Sequence, residues 1–132
     1  MTKKHEHYLT EEQLEYFRGK LINWKAELIR ESTEIRERLS DISVEADPID
    51  AASNMANQAL DLRTRDRMRK LIYKIDQAIE RINDGTYGYC EETGESIGIK
   101  RLEARPVTTL SIQAQERHEK KEREYKDEDV EY

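Results

Sequence analysis

The chain has 132 residues, 29 acidic against 23 basic for a net charge of −6, with 39% charged and 36% apolar residues and a single Trp and a single Phe. That is one domain's worth of sequence, and its surface is large for its core, which suits an elongated, mostly helical protein better than a sphere. Five Gly and two Pro argue against a sandwich, a doubly wound sheet or a linker protein. No apolar run exceeds Leu71-Ile72-Tyr73, so neither a bilayer span nor a signal-peptide core is expected, and a cytoplasmic location is. One cysteine, Cys90, excludes an intramolecular disulfide.

After an N-terminal tail over 1–9, Thr10-Glu-Glu-Gln13 reads as a capping box and predicts a helix from Glu11. Leu14, Phe17, Leu21, Trp24 and Leu28 then recur at coiled-coil spacing, continuing through Ile35, Leu39 and Ile42 until Asp47-Pro48 ends the helix. A second seam runs through Ala52, Met55, Ala59, Leu62, Met68, Leu71 or Ile72, Ile75, Ile79 and Ile82 and stops at Asn83-Asp84-Gly85. Two such helices bury their seams against each other, which predicts an antiparallel coiled-coil hairpin over 10–84, roughly 45 to 50 Å long. Its turn at 46–52 is an acidic tip, and the small residues beside it predict a looser seam there.

Charge is segregated along the hairpin. Glu31 to Asp50 holds seven acids against two arginines, whereas Asp61 to Lys74 holds six basic residues against two acids. Four of the five glycines lie between Gly85 and Gly98, which marks a small turn-rich module over 85–107. Thr108 or Thr109 is then expected to cap a third helix from Leu110, which passes into an acidic tail within 108–132.

The stretch from Tyr87-Gly-Tyr-Cys90 through Ile97-Gly-Ile99 to Arg101-Leu-Glu-Ala-Arg-Pro106 resembles the C-terminal module of the DksA/TraR family of RNA polymerase regulators. Ala46-Asp-Pro-Ile-Asp-Ala-Ala52 resembles the family's coiled-coil tip, and the segments Leu62 to Arg67 and Lys70 to Lys74 resemble its second helix. The resemblance implies a monomeric bacterial regulator that enters the polymerase secondary channel, presents Asp47, Asp50 and Ala52 to the catalytic centre, and docks on the channel rim through Arg63 and Arg67. It further implies ppGpp as effector at Leu71, Lys74 and Arg105, a role in the stringent response, and no sequence-specific DNA binding. Gln115 stands where the family commonly has a basic residue, which predicts weaker nucleotide coupling.

The family's four zinc-ribbon cysteine positions fall here on Cys90, Thr93, Ser111 and Ala114. A structural zinc needs four N or S ligands, and adding His118 to Cys90 gives only two. The resemblance is therefore to the cysteine-poor members, and the expectation is a degenerate module without zinc or any other cofactor.

Each feature also has a plainer reading. Asp47 and Asp50 suit a turn and a helix N-cap, the basic run can be a solvated helix face, Cys90 a packing residue, and His5, His7 and His118 exposed side chains. No nucleophilic triad, phosphate loop or metalloprotease pattern is present, so no enzymatic activity is expected. The rival functions are a metal-free coiled-coil adaptor and, because paired carboxylates can assist metal-dependent hydrolysis, a transcript-cleavage factor of the same channel.

Overall fold

The computed structural model describes residues 8–40 and 48–130, with side chains described over 8–40 and 52–126. It contains α1 (Glu11–Ser40), α2 (Pro48–Asp84), α3 (Ile99–Ala104) and α4 (Ile112–Val130), and among the described residues its only extended pairing is a bridge between Tyr89 and Ser96. The chain divides into two compact units. One is Gly19–Gln77; the other joins Met1–Arg18 to Ala78–Tyr132.

The helix ends follow local chemistry. The Gln13 amide donates to Thr10 Oγ1 at 3.1 Å and the Thr10 amide to Gln13 Oε1 at 2.8 Å, a reciprocal box that starts α1 where the sequence placed it. Pro48 opens α2, in the first-turn position where its missing N–H costs nothing. Gly85 takes φ +85° and lets the Arg81 carbonyl accept from both the Thr86 and Tyr87 amides, which terminates α2.

Within Gly19–Gln77 the two helices are antiparallel. As the α1 partner rises from Lys25 through Ser32 to Arg38, the α2 partner falls from Asp76 through Arg65 to Asp61. Leu21, Leu28 and Ile35 of α1 are buried, and Ile75 of α2 has no exposed surface; each such side chain is worth roughly 1.5–3 kcal/mol.

The α2 seam departs from expectation in its first half. Ala52, Met55, Ala59 and Leu62 are all exposed, Met55 at 68% and Leu62 at 56%. The half-buried row is instead Asn54, Gln58, Asp61, Arg65, Met68 and Ile72, leading into Ile75, Ile79 and Ile82. The reason is periodicity: a heptad extended backwards from Met68 lands on Arg65, Asp61, Gln58 and Asn54, whereas Leu62 to Met68 is a step of six. A regular helix cannot face both rows inward. Ile42, expected to extend the α1 seam, lies outside the described residues.

The other unit is organised around Phe17, Ile97 and Leu102, with Leu9, Ala78, Ile82, Tyr87, Val107 and Ala114 also buried. Phe17 packs against Tyr87 with ring centroids 5.7 Å apart. A tight turn follows Cys90: the Gly94 amide bonds the Cys90 carbonyl at 2.9 Å with Gly94 at φ +77°, and the Cys90 and Ile97 amides bond Glu95 and Gly88 across it. Gly88 takes φ +92°, and a Cβ there would meet Leu9 Cδ1 at 2.9 Å. Short α3 was not expected from the sequence.

α4 begins at Ile112 rather than Leu110, and neither threonine caps it. Ser111 does: its hydroxyl accepts from the Ala114 amide at 3.2 Å and its carbonyl from Gln115 at 2.9 Å. The Thr108 hydroxyl is committed to the Leu110 carbonyl at 3.3 Å, and the Thr109 carbonyl to the Glu91 amide at 2.8 Å.

Candidate functional site

The expected tip falls only partly within the described residues. Asp47 lies outside them, Asp50 is placed in the first turn of α2 without a described side chain, and Ala52 is exposed on the same helix.

The basic run becomes a geometric object. Arg63, Arg67, Lys70 and Lys74 recur at spacings of four, three and four, which lines them on one face of α2, and all four are exposed. Lys70 bonds Asp66 at 3.1 Å; Arg63, Arg67 and Lys74 have no ion pair among the described residues. Leu71, half-buried, adjoins the stripe. Leu60 and Leu62 line a groove with Arg63, Asp66 and Arg67. Asp66 is held below the ordinary carboxylate range by hydrogen bonds from Lys70 and Arg69. Arg105 belongs to the other unit, exposed just beyond α3, with its amide bonded to the Arg101 carbonyl. Gln115 is half-buried on α4 and reaches Glu119 at 3.1 Å.

The four ribbon positions converge as well. Cys90, Ser111 and Ala114 are buried, at 3%, 6% and 0% exposure. Burial pushes the Cys90 thiol up, but hydrogen bonds from the hydroxyls and backbone amides of Thr93 and Ser111 outweigh it and bring the thiol down to about 6. The nest of donors that a thiolate would need is therefore in place around a single sulfur. Sequence reasoning missed one neighbouring contact: Glu92, in the turn, pairs with His118 and, at 3.6 Å, with Arg117 of α4. These residues are too far apart in the chain for spacing to reveal it.

Two family models cover most of the chain. Residues 13–82 match the N-terminal domain of DnaK suppressor protein DksA, and residues 85–120 match the prokaryotic dksA/traR C4-type zinc finger. The chain belongs to the DksA family. It is 56% identical over 126 residues, 92% of this chain and 87% of the relative, to the RNA polymerase-binding transcription factor DksA of Caulobacter vibrioides. It is 42% identical over 108 residues, 81% and 72% of the two chains, to the protein of that name from Escherichia coli K12. Among solved structures it is similar to transcription factor DksA2 of Pseudomonas aeruginosa, with TM-score 0.80 and 42% identity over 88% of this chain and 90% of that one. The helical hairpin and ribbon-like module are thus those of a DksA-family fold.

The zinc finger match corrects one expectation. A chain without zinc was anticipated, yet residues 85–120 belong to a C4-type zinc finger family, which points to zinc binding. The four positions carry one thiol, two hydroxyls and a methyl group that cannot ligate, and no group of three His, Cys, Asp or Glu among the described residues could hold a metal ion. That set does not fit a tetrahedral structural zinc. No helix among the described residues is long and apolar enough to cross a membrane.

Proposed function

We propose that the chain is a transcription regulator that binds RNA polymerase through the secondary channel and modulates initiation. The observation that carries this reading is the exposed α2 stripe of Arg63, Arg67, Lys70 and Lys74 on a chain whose relatives are named RNA polymerase-binding factors. A net-acidic protein suits an acidic protein surface better than free nucleic acid. Arg63 and Arg67 dock on the channel rim, and Asp47, Asp50 and Ala52 approach the catalytic centre. Carboxylates there form charge-assisted hydrogen bonds and alter the field at the active centre without becoming catalysts. The site of action is cytoplasmic, and the chain acts as a monomer.

The finer part of the proposal is ppGpp as effector. A lysine ammonium and a forked guanidinium are apt phosphate ligands, and the resemblance assigns these roles to Lys74 and Arg105, with Leu71 beside Lys74. They lie in different units and are tested one at a time. A titration of core polymerase with the full chain, with and without ppGpp, tests both levels. Binding is expected in either case, and open promoter complexes are expected to be shorter-lived with the nucleotide. Lys74→Ala or Arg105→Ala should diminish the ppGpp response about ten-fold while basal binding persists, and Gln115→Lys should raise it. Absence of polymerase binding sinks the whole reading, whereas binding that ignores both alanine variants sinks the nucleotide site alone.

A further inference from the structure

On the opposite flank of Leu62 from Arg63 and Arg67 lies a second groove, contained within Gly19–Gln77 and lined by Ser32, Leu62, Arg65, Asp66, Arg69 and Ile72. Arg65 is half-buried there, and its Nε donates to Ser32 Oγ at 3.3 Å. Among the described residues no carboxylate lies within ion-pair distance of Arg65. The one acid of the groove, Asp66, is already shared by Arg69 at 2.5 Å and Lys70 at 3.1 Å. Three cations thus stand against one carboxylate, beside a leucine that is 56% exposed.

A half-buried guanidinium without a counter-ion is disfavoured, because partial desolvation is not offset by pairing. We propose that this groove is a carboxylate-binding site, and that its occupant is an Asp or Glu of a protein partner carried next to an apolar side chain. The inference rests on the polymerase-binding reading above and names the polymerase as the partner. Charge complementarity argues for it, and so does the lining. Arg65 and Arg69 present planar forks that match a carboxylate. Leu62 and Ile72 offer apolar contact to the neighbouring side chain. Asp66 remains in the groove, which disfavours a doubly charged phosphate more than a single carboxylate.

The test is a binding titration of the full-length chain against core RNA polymerase with three variants. Arg65→Gln keeps an N–H for Ser32 but removes the charge. Ser32→Glu places an internal carboxylate against Arg65 and fills the site from within. Arg30→Ala removes an exposed α1 cation away from the groove. The first two should each weaken affinity about ten-fold, and their combination no further, because both abolish the same contact; Arg30→Ala should leave affinity unchanged. Should Arg65→Gln fail to fold by circular dichroism, Ser32→Glu decides the matter. Affinities within two-fold of the parent for both variants overturn the groove while leaving polymerase binding intact. A parent chain that does not bind polymerase overturns the occupant together with the reading beneath it. Inorganic phosphate that competes with polymerase on the parent but not on Arg65→Gln, at matched ionic strength, overturns the assignment to a protein carboxylate.

Discussion

The phenol of Tyr87 donates to the Pro106 carbonyl at 2.8 Å, joining two buried residues 19 positions apart. Burial pushes this phenol well above its ordinary value of 10. A folded-state value above the unfolded one means that the stabilisation is complete below about pH 10 and is lost as pH rises beyond it. Tyr87→Phe should cost about 1–3 kcal/mol at neutral pH, because the Pro106 carbonyl is left without its donor. It should also flatten the alkaline fall in thermal stability, as read from melts across pH 8–11. Equal alkaline losses in parent and variant would show that another group is responsible.

Gly88 and Gly94 both have positive φ, at +92° and +77°, but only Gly88 faces a crowd. Alanine at 88 would place Cβ 2.9 Å from Leu9 Cδ1 and 3.3 Å from Tyr8 Cε2, whereas at 94 nothing lies within 4 Å. Gly94→Ala should therefore lose only the backbone term, about 1–2 kcal/mol, and Gly88→Ala should lose clearly more. Chemical denaturation of both variants makes the comparison, and equal losses would refute the steric part.

Ser111 serves α4 with both its hydroxyl and its carbonyl, while the Thr109 carbonyl accepts from the Glu91 amide, outside α4. Ser111→Ala should lower stability by about 1 kcal/mol, the usual worth of an N-cap. Thr109→Ala should leave it nearly unchanged. If thermal melts rank them the other way, the cap is misassigned.

On the proposed polymerase-binding reading, tip and dock are separable in function. Asp50→Asn should abolish regulation of a rRNA-type promoter while polymerase affinity changes little, and Arg67→Ala should reduce affinity itself. Transcription assays at saturating factor distinguish them, because raising the concentration rescues a docking defect and not a tip defect. Full regulation by Asp50→Asn would reduce the tip carboxylate to a turn former.

Local signals in the sequence were legible wherever one residue had one available role. Thr10 and Gln13 cap α1 as their spacing required, and Gly85 stops α2. The α4 start was not, because Thr108, Thr109 and Ser111 all offer hydroxyls; the Thr108 hydroxyl turns instead to the Leu110 carbonyl two residues on, and the Thr109 backbone is held by a tertiary bond from the Glu91 amide to its carbonyl. The outward turn of Met55 and Leu62 was missed for a different reason. Apolar identity suggested burial, whereas continuity of the helix from Met68 demanded Arg65 and Asp61 at the inner face. At the candidate site the cationic stripe was visible as composition, but the pairing of Arg65 with Ser32 needed the fold.

The polar rungs of the hairpin have a consequence for its uniqueness. An apolar heptad seam is nearly indifferent to sliding, since displacement by seven residues sets one aliphatic side chain where another stood. The polar rungs break that translational degeneracy. Moving α2 by one heptad so that each α1 residue meets a position seven earlier would replace Lys25–Asp76 by Lys25 against Arg69, and Arg38–Asp61 by Arg38 against Asn54. One attraction becomes a repulsion and the other becomes neutral. The charges along this hairpin thus act less as adhesive than as an address, weighing against a displacement to which the oily residues alone would be nearly indifferent.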